Sequence, residues 1–524
     1  MAIPLCKIIL SLKYNKSRNA VFPVTVKEGG LRRNLVTTKV IPKNASSIQV
    51  NSDQSQMMKG KELDEESHVI LSKEPKRKLA DSWREILGQN DWAGMLDDPF
   101  DPLLSAELMR YGDMAQACYD AYDFDPYSKY CGSCKAQPKM FFENLGWKNC
   151  GYDVTSYIYS TYNVNFPKFF NISLNPNGWS PSANWIGYVA ISNDECSKHL
   201  GRRDIIIAWR GTVTNVEKIA DLMDFQNPTK YHTIPSRDPT IKVEAGFLEI
   251  YTDRNIDCQF CKYSARQQVL AEVKRLKDLY PNEELSITIT GHSLGSALAT
   301  LNAYDIAEIG LDVMEDGRVI PTTVFSFSGP RVGNGRFKER LEALGVKVLR
   351  VLNVHDQVPK VPGIFLNELV PKMLQQLVGW SPWCYLHVGG ELALNHKNSP
   401  FLKDETNLAY FHDLEVLLHL LDGYHGKGKR FWLASGRDIA LVNKATDFLK
   451  DQFLIPPKWG LTNNRMLIKN HLGPCVMPDD QHHDFEIHPP SEDIQHHLQQ
   501  LNLSHSETKC LQKVSYNVSS ISLF

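Results

Sequence analysis

The sequence predicts an α/β fold, a mostly parallel sheet with helices packed on both faces. From residue 185 onward, short β-branched or aromatic runs alternate with amphipathic helical stretches, which is the pattern of such a sheet. The composition supports a large globular core, because 42% of the 524 residues are hydrophobic and 23% are charged. The length allows one large domain with additions, or several smaller domains.

Two helices are expected before the sheet begins. The first covers LADSWREILG, where Leu79, Trp83 and Ile86 recur at helical spacing, and the second covers DPFDPLLSAELMRYGDMAQACYDAY. The second helix has an apolar face made of Leu104, Leu108, Tyr111, Met114 and Cys118. Both helices are therefore expected to pack on a larger body.

The elements of the sheet follow in chain order. The predicted strands are WIGYVAIS, DIIIAWRGT, ELSITITGHSLG, TTVFSFSGPRVG and VKVLRVLNVHDQVP. The predicted helices between them are SARQQVLAEVKRLKDLY, SALATLNAYDIAEIG and RFKERLEALG. Past Pro362 the pattern loosens into an insertion, GIFLNELVPKMLQQLVGW, and a helix is then predicted over YFHDLEVLLHLLDGYHG.

The overall charge and hydropathy exclude two kinds of interaction. A net charge of -2 provides no basic field, so nucleic acid is not an expected partner. No stretch approaches the roughly 20 consecutive apolar residues that a membrane-spanning helix needs. Contact with a membrane is therefore expected to be peripheral, and no obligate protein partner is predicted.

The cysteines and histidines raise the question of a metal. Eleven cysteines, an odd number scattered along a large chain, fit a reducing compartment. The pairs Cys131/Cys134 and Cys258/Cys261 have the spacing of zinc ligands, but they lie far apart in the chain and inert thiols are favoured. The His-rich stretch DDQHHDFEIHPPSEDIQHHLQQ is more simply a solvated tail. The sequence therefore predicts neither a metal nor a cofactor.

The first 60 residues differ in composition from the remainder. They contain ten Lys and Arg but only two acids, Glu28 and Asp53, with scattered Ser and Thr. This composition is typical of an organelle transit peptide, with a disordered basic arm as the alternative. Lys7 and Lys13 interrupt the apolar stretch that a secretory signal requires. Composition alone leaves plastid and mitochondrion both open.

The pentapeptide GHSLG at 291–295 matches G-x-S-x-G, in which glycines let a serine occupy a sharp strand-to-helix turn. Alone the motif is weak, since Gly and Ser are common residues. Here a β-branched strand, ELSITIT, precedes it and a stretch that favours helix, SALATLNAYDIAEI, follows it. The context therefore predicts Ser293 as a nucleophile at a helix N-terminus, where backbone N–H groups favour an oxyanion.

Two backbone donors are expected for that oxyanion. The N–H of Leu294, directly after the nucleophile, is the first. The second is expected in the loop that ends the strand IIIAWRGT, where Gly211 permits a tight bend and Thr212 offers an N–H and a hydroxyl. A simple strand-ending turn is the alternative for this loop.

A serine nucleophile needs a base and a carboxylate that orients the base, in the chain order Ser, Asp, His. Asp356 lies at the end of a predicted strand, where open α/β sheets place their sites, although a strand cap is the alternative. The other downstream acids fall within or after helices: Asp305, Asp312 and Glu342. Among the histidines His412 is favoured, because it begins a predicted helix after a loop. The rivals that stay open are His355, His387, His396, His419 and His425.

Taken together, these motifs resemble the class 3 lipase family, and within it the plant phospholipase A1 group with plastidic members of the I-gamma type. The resemblance covers approximately residues 79–460. It rests on DWAGMLDDPFDPLL, YGDMAQACYDAYDFDP, SKYCGSC, NWIGYVAIS, WRGT, TGHSLGSALATLNAYDI, FSGPRVGN, HDQVPKVPG and YFHDLEVLLHLLDGYHG. The resemblance implies an α/β-hydrolase fold, a catalytic triad of Ser293, Asp356 and His412, and an oxyanion hole at Thr212 and Leu294.

The same resemblance implies a lid helix between the oxyanion strand and the nucleophile turn. In this chain NVEKIADLMDF fills that place, and Leu222, Met223 and Phe225 are its expected lid or substrate-binding residues. An apolar lid face is what binds a bilayer surface when the lid opens.

The resemblance implies a serine acyl hydrolase that cleaves fatty acids from membrane glycerolipids: phospholipids, galactolipids and also triacylglycerol. An acyltransferase that uses the same acyl-enzyme and an inactive lipid-binding relative are the alternatives. The expected organisation is a transit peptide over 1–60, a linker over 61–78, a hydrolase domain over 79–460 and a polar tail over 461–524. The transit-like arm agrees with the plastidic members, so we expect a chloroplast protein, in the stroma or at a thylakoid or plastoglobule surface.

Overall fold

The computed structural model describes residues 77–147, 149–161, 174–212, 238, 240–362, 385–461, 487–491 and 493–503, with the backbone of 232–233, 468–469 and 475–476. The predicted arm, nearly all of the linker, the lid segment 215–225 and the insertion 363–380 lie outside these residues.

The structure describes strands in both halves of the chain. They are β1 (Tyr152–Thr161), β2 (Ala183–Ser192), β3 (Arg203–Trp209), β4 (His232–Thr233), β5 (Lys242–Val243), β6 (Leu285–His292), β7 (Thr322–Phe327), β8 (Gly333–Asn334), β9 (Lys347–Asn353), β10 (Tyr385–Leu386), β11 (Gly390–Leu394), β12 (Ile468–Lys469) and β13 (Cys475–Val476). The α-helices are α1 (Leu79–Ile86), α2 (Pro102–Asp120), α3 (Phe141–Asn144), α4 (Asp194–Leu200), α5 (Ala245–Thr252), α6 (Ala265–Leu279), α7 (Leu294–Glu308), α8 (Gly335–Ala343), α9 (Leu408–His412), α10 (Leu414–Asp422) and α11 (Ile494–Gln500).

A seven-stranded sheet organises these elements, in the order β1-β2-β3-β6-β7-β9-β11. The strands β1, β2 and β3 pair antiparallel, and β3, β6, β7, β9 and β11 pair parallel. The predicted α/β fold, with a mostly parallel central sheet flanked by helices, is therefore confirmed. A smaller sheet has the order β10-β8-β5-β4.

Alternate side chains of the central strands belong to two hydrophobic cores, one on each face. In β3, Ile205 and Ile207 share a core with apolar residues of α6 and α7. Ile206 and Ala208 point the other way and share a core with apolar residues of α2 and α10. Because both faces are covered, the strand has a nearly continuous apolar sequence rather than an alternating one.

Local signals in the sequence fix where the long helices begin. The carboxylate of Asp101 accepts hydrogen bonds from the N–H groups of Leu103 and Leu104 at 2.9 Å, and Pro102 occupies the first turn of α2. At the start of α6, Ser264 and Gln267 form a capping box. These caps orient the two helices that cover opposite faces of the sheet.

The predicted helix YFHDLEVLLHLLDGYHG is two helices, α9 and α10, separated at Asp413. This residue has an extended backbone, with φ -69° and ψ 133°, and its carboxylate accepts the N–H of Val416 at 3.0 Å. The side chain thereby caps α10 and breaks the continuity with α9. His412 consequently ends a helix, whereas the sequence placed it at the beginning of one.

Part of the polar C-terminal stretch is folded onto the core. Ile494 and Leu498, four residues apart on α11, are buried against Ala271 of α6. The sequence favours a solvated tail for this His-rich stretch and does not reveal the pair, because two apolar residues in a short polar helix are a weak signal.

Candidate active site

Ser293 lies between β6 and α7, in the sharp turn that its motif predicts. Its φ of 57° and ψ of -127° form a backbone conformation that residues other than glycine rarely adopt. The N–H of Ser293 donates to the carbonyl of Phe327 in β7 at 3.0 Å, which ties the turn to the sheet. A Cβ atom on Gly295 would lie 2.2 Å from the carbonyl oxygen of Trp209, so glycine is needed for α7 to approach β3 this closely.

His412 and Asp356 are joined by a direct hydrogen bond. Nδ1 of His412 lies 2.7 Å from Oδ2 of Asp356, and both residues are buried. The other carboxylate oxygen accepts the N–H of Val358 at 2.9 Å, so both oxygens of Asp356 are engaged. A carboxylate held in this way orients the imidazole and leaves Nε2 as the nitrogen available for proton transfer.

The two atoms that triad chemistry has to join are both available. Ser293 Oγ and His412 Nε2 are buried, and neither makes a hydrogen bond within the described part of the chain. The ring of His412 packs against that of His292, the chain neighbour of Ser293, with ring centroids 4.7 Å apart. The structure therefore pairs Asp356 with His412 and sets both beside the nucleophile turn, but shows no hydrogen bond from Ser293 to His412 among these residues.

The loop that ends β3 lies against the nucleophile turn. A Cβ atom on Gly211 would lie 3.3 Å from Cβ of Ser293, so the loop packs directly on the turn. Thr212 follows Gly211 and is the last described residue of this loop. Leu294 opens α7, and its N–H is one of the first-turn donors without a partner inside the helix. Of the two predicted oxyanion residues, Leu294 thus follows Ser293 directly, and Thr212 belongs to the loop that packs on the serine turn.

Arg210 is a residue of this site whose role the sequence does not reveal. Its buried guanidinium donates from Nη1 to the carbonyl of Gly211 at 2.9 Å and from Nε to the carbonyl of Trp185 at 3.0 Å. The side chain thereby fixes the direction of the loop that carries Thr212. A charged residue directly after an apolar strand was the available signal, but only the structure shows what it binds.

The rival candidates make other contacts. His355 and His396 pack on each other, with ring centroids 4.7 Å apart. The rival acid Asp305 pairs with Arg266 at 2.6 Å. The remaining histidines hydrogen-bond at 2.7 or 2.8 Å to groups other than Asp356: His387 to the Pro359 carbonyl, His419 to the Ser399 hydroxyl, and His425 to the Trp432 carbonyl.

Burial shifts the pKa values of several groups around His412 toward their uncharged forms. Desolvation, with a contribution from His412, lowers the pKa of His292 well below its usual range. Burial also lowers the pKa of His396 to about 4 and raises the pKa of the Asp413 carboxyl to about 7. The low local dielectric of this buried site strengthens the hydrogen bond between Asp356 and His412.

The zinc site considered from the sequence is not formed by the described residues. Among them, no group of three or more His, Cys, Asp or Glu side chains is placed to hold a metal ion. Cys134 donates to the Tyr157 hydroxyl at 3.3 Å, and Cys258 lies 3.6 Å from the Ser180 hydroxyl.

No described helix is long and apolar enough to cross a bilayer. The predicted lid residues Leu222, Met223 and Phe225 lie outside the described residues.

Comparison with known proteins extends what the geometry indicates. Residues 206–366 match the family described as Lipase (class 3). Phospholipase A1-Igamma2, chloroplastic, of Arabidopsis thaliana is 56% identical over 436 residues, 82% of this chain and 82% of that protein. Phospholipase A1-Igamma1, chloroplastic, of the same plant is 56% identical over 439 residues, 82% and 85% of the two chains. Galactolipase DONGLE, chloroplastic, also from Arabidopsis thaliana, is 44% identical over 348 residues, 66% and 70%.

The α/β fold and the match to a lipase family define the class of protein, a carboxylic ester hydrolase that acts on lipids. The chain belongs to the class 3 lipase family, in the plant phospholipase A1 group of the Igamma type. The resemblance drawn from the sequence is thereby confirmed. The Igamma relatives are named chloroplastic, which supports the expected plastid location.

Proposed function

We propose that this chain removes ester-linked fatty acids from membrane glycerolipids as a phospholipase A1 that also accepts galactolipids and triacylglycerol. Ser293 is the nucleophile, His412 the base and Asp356 the carboxylate that orients it. The observation that carries the proposal is the 2.7 Å hydrogen bond between His412 and Asp356, which leaves Nε2 without a partner beside a strained serine turn. Relatives named phospholipase A1 and galactolipase support the substrate class.

The proposed cycle has two halves. His412 Nε2 takes the hydroxyl proton of Ser293 while Oγ attacks the ester carbonyl. The resulting oxyanion accepts hydrogen bonds from Leu294 and Thr212, and collapse expels the lysolipid alkoxide, which receives the proton from His412. Water, activated by the same imidazole, then hydrolyses the acyl ester on Ser293 and releases the fatty acid.

Product analysis tests the reaction and its substrate. Purified protein is incubated with a defined phospholipid, a galactolipid and triacylglycerol, with glycerol present, and the products are identified by mass spectrometry. From the wild type we expect free fatty acid together with the lysolipid of the phospholipid or galactolipid, or diacylglycerol from triacylglycerol, and none of these from Ser293→Ala. Monoacylglycerol as the main acyl product from the phospholipid or galactolipid would indicate an acyltransferase, and fatty acid release by Ser293→Ala would overturn the assignment of the nucleophile.

A fluorophosphonate probe tests the serine directly. The probe phosphonylates activated serines, so we expect it to label the wild type and not Ser293→Ala. Ser197→Ala is the matched control, because it removes another buried hydroxyl that bonds Ser192 beside the start of β3, away from the nucleophile turn. A wild type that stays unlabelled would identify an inactive lipid-binding relative instead.

The proposal includes peripheral contact with a membrane, at a thylakoid or plastoglobule surface of the chloroplast. Its support is a set of exposed large apolar side chains on neighbouring loops: Tyr127, Leu174 and Ile256. Exposed apolar groups beside a lipid-hydrolysing site suit insertion between lipid headgroups.

A further inference from the structure

Tyr119 and His292 form a hydrogen-bonded chain that ends on the main chain of His412. Tyr119 is in the last turn of α2, and its hydroxyl oxygen lies 2.7 Å from Nδ1 of His292. The other ring nitrogen of His292, Nε2, lies 2.8 Å from the carbonyl oxygen of His412. The chain therefore connects a helix on one face of the sheet to the residue that carries the proposed base.

The direction of each hydrogen bond follows from the groups involved. A carbonyl oxygen only accepts, so Nε2 of His292 carries a proton and donates it to His412. Burial lowers the pKa of His292 well below its usual range, and the ring is therefore neutral. A neutral imidazole has one protonated nitrogen, so Nδ1 accepts and the Tyr119 hydroxyl donates.

The same hydroxyl lies against the oxyanion loop and the nucleophile turn. A Cβ atom on Gly211 would lie 2.3 Å from the Tyr119 hydroxyl oxygen, 2.4 Å from the carbonyl oxygen of His292 and 3.3 Å from Cβ of Ser293. One tyrosine oxygen thus lies where three parts of the site meet: the loop before Thr212, the serine turn, and, through His292, the backbone of His412.

We propose that Tyr119 and His292 are positioning residues for the catalytic base. The Tyr119 hydroxyl fixes the tautomer of His292, and His292 then holds the carbonyl of His412, so that the imidazole keeps the position from which it deprotonates Ser293. Neither residue touches the reacting atoms. This inference rests on the proposed function, because it concerns the efficiency of the same serine and histidine.

The test compares two Tyr→Phe variants on the same helix. Tyr119→Phe removes the donor to His292, whereas Tyr111→Phe removes a buried hydroxyl that donates to Asp204 at 2.9 Å and is not part of this chain. We measure kcat and KM on a soluble ester, the rate of fluorophosphonate labelling, and Tm. A displaced catalytic group costs up to about 100-fold. We therefore expect Tyr119→Phe to lose about 10- to 100-fold in kcat and labelling rate, with KM unchanged.

A second pair of variants tests His292 itself. Gln at position 292 keeps an N–H that reaches the His412 carbonyl, and Leu has none. We expect His292→Gln to retain more kcat per folded molecule than His292→Leu. The inference is overturned if Tyr119→Phe reacts like the wild type, if Tyr111→Phe loses as much kcat, or if the Gln and Leu variants are equally impaired. A wild type that the probe does not label would instead overturn the proposed function.

Discussion

Asp356 determines which ring nitrogen of His412 carries the proton, and replacing this one residue tests that role. In Asp356→Asn the amide oxygen still accepts the N–H of Val358, but the NH2 group then faces Nδ1 of His412. The imidazole must accept there, so its proton moves to Nε2 and it no longer takes the proton of Ser293. We expect kcat to fall by about 10³- to 10⁴-fold with little change in Tm, measured by steady-state kinetics and thermal unfolding.

Asp312 provides the matched control for that substitution. It is another buried aspartate that follows Ser293 in the chain, and burial raises its pKa to about 6. The change Asp312→Asn removes a carboxylate that has no part in the proposed triad, so we expect wild-type kcat. Turnover close to wild type in Asp356→Asn would show that a different group orients the base.

At the level of single elements, the sequence predicts the strands, turns and helices whose form depends on residues close in the chain. The β-branched run before GHSLG and the helix-favouring stretch after it specify β6, the turn and α7 locally, and all three are found. The break at Asp413 was missed, because apolar residues recur at helical spacing through it. What decides the break is the extended backbone of Asp413 and its bond to Val416, and an N-cap inside a continuous apolar pattern gives little signal.

The cap at Asp413 also makes α10 sensitive to pH. Burial of the carboxyl raises its pKa from 3.8 to about 7 in the folded protein. Between these values the folded state binds the proton more tightly than the unfolded chain does, so stability falls as the pH rises through this window. We expect the stability of Asp413→Asn, which keeps the cap without the charge, to exceed that of the wild type by an amount that grows to roughly 1–2 kcal/mol as the pH rises from 4 to 8.

Urea unfolding of both proteins at several pH values measures this difference. The gap in unfolding free energy should be small near pH 4 and widen up to neutral pH. Parallel stability curves for the wild type and Asp413→Asn would contradict the raised pKa. Since Asp413 follows His412 directly, kcat measured at each pH also shows whether the charged cap disturbs the base.

On the scale of the whole molecule, the parallel sheet gathers distant segments at one edge. Gly211 follows β3, Ser293 follows β6 and Asp356 follows β9, all at carboxyl ends of parallel strands. Each of these was predictable, because a strand pattern precedes it. The pairing of Asp356 with His412, 56 residues further along, was not fixed by local pattern and needed the family resemblance. Five rival histidines stayed open as the base on the sequence alone, and tertiary packing decides among them.

The same edge of the sheet carries an exposed apolar surface. Tyr127, Leu174 and Ile256 are 75%, 66% and 72% exposed. Their loops are linked, because the N–H of Leu174 donates to the Pro126 carbonyl at 2.7 Å and Asn255 donates to Ser182 at 3.4 Å. The residues before β2 join these loops, and β2 begins at the edge where β3 ends. A bilayer that meets these side chains is therefore also close to the carboxyl edge that carries Ser293.

This arrangement predicts the face that binds lipid. In a Ser293→Ala background, which leaves the vesicles intact, we expect Tyr127→Ser, Leu174→Ser and Ile256→Ser together to weaken binding at least about tenfold, because three apolar side chains no longer leave water. Flotation with vesicles of phosphatidylcholine and phosphatidylglycerol measures the bound fraction. The control is Leu279→Ser with Val319→Ser, which are 55% and 64% exposed and precede β6 and β7 at the opposite edge. Equal losses in both sets would show that binding depends on general surface hydrophobicity and not on this face.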